Sequence, residues 1–339
     1  MNQRIVCFGE LLLRLTAPGR ERLLQSPRFD VNVGGAEANV AVSLARFGHE
    51  AAMVSVVADN PLGEAAVGEL RRHSVDTGGV RFTPGRMGLY FLAPGAIHRP
   101  SEVLYDRADS AFTRARVQDY DWSALLAGAS WLHLSGVSPA LGAAAAEATI
   151  AAARGARAAG VKVSFDGNFR SKLWQAWNGD AAAILRQIIA EADLLFADHR
   201  DIAVVLGMDG GAASAEDSVA NAATQAFAAF PNLQRMASTL RVQHSVDHHA
   251  LSAVMLDRHG ARHQAASHDL SAIVDRIGAG DAFAAGVLHG LLTSKDEAGC
   301  LHFGLGAACL KHSLPGDFNL VGRDEVEAFV AQAGFHVRR

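Results

Sequence analysis

The sequence predicts an α/β fold of three layers, with a mainly parallel central sheet, helices on both of its faces and a small β-sheet lid. Short, nearly continuous apolar runs alternate with Ala-rich helical patterns, as in parallel sheets buried on both faces. Half of the 339 residues are hydrophobic and only 19% are charged, which excludes a mainly disordered chain. Residues 11–34 and 86–107 interrupt the alternation with strand-like patterns containing Gly, Pro and Arg. We therefore expect one domain over residues 1–339, with the lid strands in those two segments.

The elements follow from the periodicity of the apolar residues. Runs of four to seven apolar residues predict buried strands, and longer runs with polar residues on one side predict helices that cover the sheet. The predicted strands are Ile5–Gly9, Ala52–Val57, Trp131–Ser135, Val161–Asp166, Leu194–Ala197 and Ala253–Leu256. The predicted helices are Ala36–Phe47, Gly63–Arg72, Ala143–Ala159, Ala181–Glu191, Val219–Ala229 and Asp281–Thr293.

Charge and cysteine content limit the location and the partners. The chain has 31 Lys and Arg against 35 Asp and Glu, a net charge of −4, so no basic field favours nucleic acid. Glu10 interrupts the first apolar run too early for a secretory signal, and charged residues interrupt the Ala-rich segment 141–160, which excludes a membrane span. Three cysteines cannot build a disulfide framework. We expect a cytoplasmic protein with neither nucleic acid nor membrane partners.

The segment Gly278-Ala279-Gly280-Asp281 is the most informative part of the chain. It precedes a helical pattern that continues to Leu292. Glycines allow a ligand to approach the backbone, and the first N–H groups of a helix attract anions, so the segment predicts an anion hole for a phosphate group. Asp281 either caps the helix or takes a proton from an attacking hydroxyl. The two glycines favour the general base, because a cap alone does not require them.

Two common nucleotide motifs are excluded. Phe283 replaces the third glycine of Gly-x-Gly-x-x-Gly, and the motif lies near the C-terminal end of the chain, which argues against a dinucleotide site. The sequence contains no Gly-x-x-x-x-Gly-Lys-[Ser/Thr] motif, so it is not a P-loop enzyme.

Two separated motifs resemble the ribokinase-like, or phosphofructokinase B-type, carbohydrate kinases. Residues 275–281, Asp-Arg-Ile-Gly-Ala-Gly-Asp, resemble the C-terminal signature of that family, and residues 34–41, Gly-Gly-Ala-Glu-Ala-Asn-Val-Ala, resemble its N-terminal signature. The spacing of the two motifs fits the family over essentially the whole chain. The resemblance implies the ribokinase-like fold, ATP and Mg²⁺ as cofactors, and a homodimer formed through the lid.

Within that family the sequence is most similar to the 2-keto-3-deoxygluconate kinases. This similarity implies substrate contacts from Gly34, Gly35, Tyr90, Tyr105, Arg107 and Arg170. From the residues alone, the two glycines could also be a tight turn, the tyrosines could pack the lid and the arginines could be solvated. A guanidinium can bind a carboxylate with two hydrogen bonds, which suits an acid substrate. Asn39 could bind the sugar or a buried backbone group.

The donor side departs from the family pattern. The usual Asn-x-x-Glu is replaced by residues 198–201, in which Asp198 and Asp201 could substitute or could only favour the start of a helix. The Gly-rich nucleotide loop is not recognisable in residues 241–252. ATP contacts are therefore assigned only to Gly278, Gly280 and Asp198, and no metal ligand is assigned.

Residues 241–252 also contain His244 and His248, whose spacing could give half of a zinc site on a helix. The surrounding pattern does not indicate a helix, and no distant Cys/His pair completes the site. Surface or nucleotide-facing histidines are the alternative interpretation.

The resemblance implies a sugar-acid kinase that transfers the ATP γ-phosphoryl group to the C6 hydroxyl of 2-keto-3-deoxygluconate, with Asp281 as general base. One alternative is another ribokinase-like kinase, acting on fructose or ribose. A second alternative, from another class, is a sugar-binding regulator that has lost turnover.

Overall fold

The computed structural model describes residues 3–208, 212 and 214–332. The strands are β1 (Arg4–Phe8), β2 (Leu12–Thr16), β3 (Asp30–Gly34), β4 (Glu50–Ala58), β5 (Asp76–Thr83), β6 (Gly88–Ala93), β7 (Glu102–Asp106), β8 (Ala129–Ser135), β9 (Lys162–Asp166), β10 (Leu194–Phe196), β11 (Arg235–Ser245), β12 (His248–Asp257) and β13 (Arg262–Leu270). The helices are α1 (Ala36–Arg46), α2 (Pro61–Arg72), α3 (Ala111–Arg114), α4 (Trp122–Leu125), α5 (Ala143–Ala158), α6 (Ser171–Gln175), α7 (Ala181–Ile189), α8 (His199–Leu206), α9 (Ala215–Ala229), α10 (Ala279–Leu292), α11 (Glu297–Lys311) and α12 (Arg323–Val330). Two short 3₁₀ turns lie at Val117–Asp119 and Pro139–Leu141.

The central sheet has nine strands in the order β13-β12-β11-β10-β9-β8-β1-β4-β5. Pairing is parallel from β5 to β11, whereas β11, β12 and β13 pair antiparallel. The side chains of β1 and β4 are buried almost without interruption, because helices cover both faces of the sheet. One apolar core packs α1, α2, α10 and α11 against one face, and the other packs α5, α7, α8 and α9 against the opposite face. The three-layer prediction is confirmed.

The predicted strands and helices of the central unit are all present within a few residues. One difference matters for the site: the predicted helix from Asp281 to Thr293 begins at Ala279, so Asp281 lies inside its first turn. The sequence reading did not identify β5, β11, β13, α11 or α12, whose polar faces or glycines weaken the apolar periodicity.

A separate sheet of four strands, in the order β3-β2-β6-β7, confirms the predicted small second sheet. Strands β2 and β6 pair parallel in its centre, and β3 and β7 form its edges. Val31 on β3 and Leu104 on β7 are 61% and 56% exposed. The edges of the small sheet therefore present apolar side chains to the surroundings.

Helices α10 and α11 touch almost backbone to backbone. A Cβ atom placed on Gly286 would lie 2.6 Å from the Cα of Gly304, and one placed on Gly290 would lie 2.6 Å from the Cα of Cys300. Only glycine at these positions allows the helices to approach so closely. Helix α10, which carries Asp281, is thus held by its neighbour without an intervening layer of side chains.

No helix in the described part of the chain is both long and apolar enough to cross a membrane. Cys7, Cys300 and Cys309 are buried and form no disulfide.

Candidate active site

Two cavities adjoin each other at the ends of β9 and β10, beside the middle of β11. The small-sheet cavity, of about 520 Å³, lies between the small sheet and the start of α10. The α8 cavity, of about 670 Å³, lies beside the end of β10 and the start of α8. Asp166, Asn168, Arg170, Arg241 and Gly280 line both cavities. Molecules bound in the two cavities would therefore meet at these five residues.

Asp281 lines the small-sheet cavity from the first turn of α10. Its carboxylate accepts a hydrogen bond of 2.6 Å from Nδ2 of Asn39. Burial raises the pKa of Asp281 to about 7, and the nearby carboxylates of Glu37 and Asp317 add to the rise, whereas the Asn39 hydrogen bond opposes it. Since the N-cap of α10 is Gly278, Asp281 does not fill the capping position that the sequence left open. A carboxylate with this pKa can take a proton from a hydroxyl near neutral pH.

The start of α10 has the backbone geometry of an anion site. Gly278 has a φ of +81°, and a Cβ atom there would lie 2.0 Å from the carbonyl oxygen of Asp317, so this position requires glycine. The N–H of Ala279 donates to the carbonyl of Arg276 at 3.3 Å, which reduces its part in the predicted anion hole. The N–H groups of Gly280 and Asp281 precede the helical hydrogen-bond ladder, and Gly280 lines both cavities.

The side-chain amide of Asn39 donates to Asp281, a contact that the sequence analysis did not consider. Its Oδ1 is buried and has no hydrogen-bond partner among the described residues, and the residue lines the small-sheet cavity. A buried acceptor without a partner is costly, so a hydroxyl of a bound molecule would satisfy it. Glu37, two residues earlier on α1, accepts hydrogen bonds from the hydroxyls of Ser135 and Ser138, both 2.8 Å away.

The small sheet contributes aromatic side chains to the cavity. The hydroxyl of Tyr90 donates to Oδ2 of Asp317 at 2.7 Å, and the rings of Tyr90 and Tyr105 lie 6.5 Å apart. Both tyrosines line the small-sheet cavity, as does Gly35. Gly34 does not line it: a Cβ atom there would lie 2.5 Å from Oδ2 of Asp317, so this glycine makes room for the buried carboxylate.

The two predicted carboxylate-binding arginines differ in their surroundings. Nε of Arg107 lies 2.6 Å from Oε2 of Glu10, and both side chains are buried. Arg107 lines the small-sheet cavity, but part of its charge is already balanced by Glu10. Arg170 is exposed, and its guanidinium donates only to the carbonyl of Phe169, at 3.1 Å, within the described residues. Arg170 therefore has the more available hydrogen-bond donors.

Three further arginines surround the junction of the cavities. Arg241 and Arg276 line the small-sheet cavity, and Arg241 and Arg200 line the α8 cavity. Burial lowers the pKa of Arg241, and the positive charges of Arg276 and Arg200 lower it further. Neither Arg241 nor Arg276 forms an ion pair with any described residue. Guanidinium groups without carboxylate partners form a suitable binding site for a chain of phosphates.

Carboxylates lie opposite these arginines. Burial raises the pKa of Asp166 well above its ordinary value, and the carboxylates of Asp281 and Asp201 add to the rise. Asp198 lines the α8 cavity, but its carboxylate caps α8 through the N–H groups of Arg200 and Asp201 and pairs with the Arg200 side chain. The contacts of Asp198 are therefore those of a residue that favours the start of a helix, although its side chain lies beside the α8 cavity.

These carboxylates suit Mg²⁺ carried by a nucleotide. Mg²⁺ is usually held by one or two carboxylates together with phosphate oxygens and water, rather than by a complete set of protein ligands. The carboxylate of Asp281 lies close enough to Asp166 to raise the pKa of Asp166, because a negative charge nearby disfavours ionisation of the second carboxyl group. When bound, Mg²⁺ would neutralise charge on the phosphates, with Asp166 as the carboxylate assigned to hold it.

The sequence reading missed Asp166, Asp317, Arg241 and Arg276 as site residues. Asp166 was visible as the first residue of the segment that ends with Arg170, and Asp317 as the acid that follows Pro315-Gly316. Arg276 lies within the C-terminal motif itself. Arg241 carries no local signal, because its place at the junction results from the parallel pairing of β10 with β11.

Comparison with known proteins identifies the family. Residues 2–319 match the model described as "pfkB family carbohydrate kinase". The chain belongs to the pfkB family of carbohydrate kinases. It is 33% identical over 327 residues to the 2-dehydro-3-deoxygalactonokinase of Haloferax volcanii, covering 96% of each chain. It is 26% identical to the 2-dehydro-3-deoxygluconokinase of Bacillus subtilis, covering 100% of this chain and 99% of the relative.

A solved structure gives the same result for the fold. The 2-dehydro-3-deoxygluconokinase of Thermotoga maritima superimposes with a TM-score of 0.92 at 37% identity, covering 97% of this chain and 99% of the other. The protein is therefore a carbohydrate kinase with the ribokinase-like α/β fold. As a kinase of this type, it acts on a sugar and a phosphoryl donor.

Proposed function

We propose that this pfkB kinase transfers the γ-phosphoryl group of ATP to the C6 hydroxyl of 2-keto-3-deoxygluconate, also called 2-dehydro-3-deoxygluconate. The observation that carries the proposal is the position of Asp281: a carboxylate with a pKa raised to about 7 lies in the small-sheet cavity, one residue after Gly280, which lines both cavities. A sugar bound in one cavity and a nucleotide in the other would meet at this point. The names of the relatives with high coverage add support for an acid of this type.

The transfer divides into three roles. Asp281 accepts the proton of the C6 hydroxyl as its oxygen bonds to the γ-phosphorus and the bond to the β-phosphate oxygen breaks, so that ADP leaves. The amides of Gly280 and Asp281, together with the arginines at the junction, stabilise negative charge on the phosphoryl group in transfer. Asn39 positions the Asp281 carboxylate through its 2.6 Å hydrogen bond, and its free Oδ1 accepts from a substrate hydroxyl.

The substrate carboxylate is assigned mainly to Arg170. Its guanidinium has no carboxylate partner among the described residues, in contrast to Arg107, which is paired with Glu10. Arg107 and the rings of Tyr90 and Tyr105 complete the sugar site. A neutral sugar would offer the guanidinium of Arg170 no carboxylate to bind with two hydrogen bonds.

The nucleotide is assigned to the α8 cavity as ATP–Mg²⁺. Arg200 and Arg241 line that cavity together with Gly280, and Asp166 supplies a carboxylate for the metal. Asp198 contributes through the start of α8 rather than through a free carboxylate.

The location and assembly complete this proposal. A cytoplasmic location is supported by three buried cysteines that form no disulfide. A homodimer through the small sheet is supported by the exposed side chains of Val31 and Leu104 on its edge strands. A single domain over residues 1–339, with the small sheet as its lid, is part of the same proposal.

The test is an assay of ADP release with ATP–Mg²⁺. We would compare 2-keto-3-deoxygluconate, its C4 epimer 2-keto-3-deoxygalactonate, gluconate, fructose and ribose, with Asp281→Asn as the inactive control. The epimer is included because a relative 33% identical is a 2-dehydro-3-deoxygalactonokinase. Turnover confined to 2-keto-3-deoxygluconate supports the proposal, whereas a preference for 2-keto-3-deoxygalactonate would make that epimer the substrate.

Two other results would change the assignment. Turnover of a neutral ketose would keep the kinase and remove the role of Arg170 in binding a carboxylate. Tight binding of a sugar acid without ADP release would favour the regulator that the sequence analysis kept as an alternative.

A further inference from the structure

Three side chains with metal-binding atoms meet at the end of the central sheet, outside both cavities. One ligand atom from each of His244, His248 and Asp269 lies within 4.8 Å of the other two. Nε2 of His248 is 2.7 Å from Oδ1 of Asp269, and the rings of His244 and His248 have centroids 4.7 Å apart. The sequence had shown the two histidines without a third ligand, and the fold brings Asp269 to them.

The strand pairing explains this arrangement. Ala250 on β12 pairs with Asp269 on β13, and His248 lies two residues before Ala250, so His248 and Asp269 share one face of the sheet. The β11–β12 register shifts between Gln243 and Ser245, which puts His244 in the irregular position beside the hairpin turn. The third ligand is thus recruited from a different strand, 21 residues from His248.

The donor set suits a transition metal rather than Mg²⁺. Two imidazole nitrogens and a carboxylate oxygen are ligands that Zn²⁺ and similar first-row ions prefer, and three protein ligands leave a further position for water. The exposed fractions of the His248 and Asp269 side chains are 41% and 68%. An ion can therefore reach them without displacing the core. A simple ion pair would explain His248 with Asp269, but it would not require the His244 ring to lie beside them.

The hairpin turn next to this cluster connects separate parts of the molecule. The N–H of Val246 donates to the carbonyl of Ile97 at 3.0 Å, and the carbonyl of Asp247 accepts from the N–H of Ile273 at 3.0 Å. Ile97 follows β6 of the small sheet, and Ile273 begins the segment that leads to α10. An ion that joins the ends of β11, β12 and β13 would therefore stabilise the turn where these segments meet.

We propose that His244, His248 and Asp269 form a surface site for a divalent transition metal of the Zn²⁺ type. This site is separate from the nucleotide-borne Mg²⁺ of the phosphoryl transfer. Its function is structural, since it cross-links three strand ends beside the small sheet.

The test uses the full chain without a polyhistidine tag, first freed of metal with a chelator and then dialysed. Titration with Co²⁺ is followed by visible absorption, which reports protein ligands in a low-symmetry site, and Zn²⁺ is followed by competition with a chelating dye. We expect one site per chain. Since even the loss of an outer hydrogen-bond partner typically weakens metal binding about 10–100-fold, His244→Ala and His248→Ala should each weaken it at least about tenfold.

Two controls make the result specific. His259→Ala removes an exposed histidine from the turn at the other end of β12 and should leave the affinity unchanged. Asp269→Asn keeps a hydrogen-bond partner for His248 but removes the charged ligand, so it should weaken metal binding. If Asp269 only forms an ion pair with His248 and does not bind the metal, this variant should leave the metal affinity unchanged. Zn²⁺ should raise the melting temperature of the wild type but not of His244→Ala.

The proposal fails if the titrations of the wild type and of the His244 and His248 variants coincide. It also fails if the absorption is that of hydrated Co²⁺ alone. Neither readout depends on turnover, so a negative result here leaves the kinase assignment untouched, and loss of the kinase assignment leaves this site untouched.

Discussion

Replacement of Asp281 by Asn should greatly slow turnover and at the same time stabilise the protein at neutral and alkaline pH. The carboxyl ionises near 3.8 in an ordinary environment, and its pKa in the folded protein is raised to about 7 by burial. Between these values the folded state holds a proton that the unfolded state has released. The stability of the wild type must therefore fall as the pH rises from about 4 to about 7.

The magnitude follows from the shift. Each pH unit in that window costs about 1.4 kcal/mol, so the full shift of roughly three units corresponds to about 4 kcal/mol. The amide introduced by Asp281→Asn carries no charge but can still accept the hydrogen bond from Asn39. The free energy of unfolding of this variant should thus equal that of the wild type near pH 4 and exceed it by up to about 4 kcal/mol at pH 8. Loss of the proton acceptor should lower kcat roughly 10²–10⁴-fold.

Urea unfolding at pH 5, 6, 7 and 8, monitored by fluorescence and circular dichroism, measures the difference directly. Asp59→Asn is the matched control, because it removes one negative charge from an exposed position on the loop after β4. In the wild type, kcat/KM should rise with pH up to about 7 as Asp281 ionises. A stability difference that is constant across this range would refute the raised pKa, even if the variant were inactive.

Three other changes test the rest of the site. Arg170→Ala should raise KM for a sugar acid at least about tenfold while the KM of a neutral sugar changes little, because a charge-assisted bidentate contact is lost. Steady-state kinetics on both types of substrate measures this, and an equal rise of KM for both would contradict the assignment of Arg170 to the substrate carboxylate. Arg241→Ala should raise KM for ATP more than KM for the sugar, since Arg241 lines the α8 cavity and pairs with no described carboxylate; an effect on the sugar alone would contradict the nucleotide assignment. Gly278→Ala should lower stability by about 1 kcal/mol or more, because φ is +81° and Cβ would meet the Asp317 carbonyl. Gly280→Ala, where Cβ meets open space, should not lower it in thermal unfolding, so similar melting temperatures for the two variants would argue against the left-handed turn.

The central part of the fold and the start of α10 could be predicted from the sequence, because buried parallel strands and a Gly-Ala-Gly turn leave local signals. The strands β11 and β13 could not, since polar residues such as Arg241 and His268 interrupt their apolar periodicity. The pairing of Arg107 with Glu10 joins residues 97 positions apart, and no local pattern encodes such a contact. For the same reason the sequence identified Asn39 as important but not its hydrogen bond to Asp281, which spans 242 positions.

The close contact of α10 with α11 also affects how this enzyme can change its substrate. Because the backbones of α10 and α11 touch at Gly286 and Gly304, Asp281 is held in place on α10, and in the proposed reaction the sugar must be brought to it. In that proposal the groups that select the sugar, Tyr90 and Tyr105 on the small sheet and Arg170 after β9, all lie outside α10. Under the proposed function, sugar selectivity and proton transfer therefore depend on separate parts of the chain, and substitutions in the small sheet or after β9 should change the preferred sugar without altering α10.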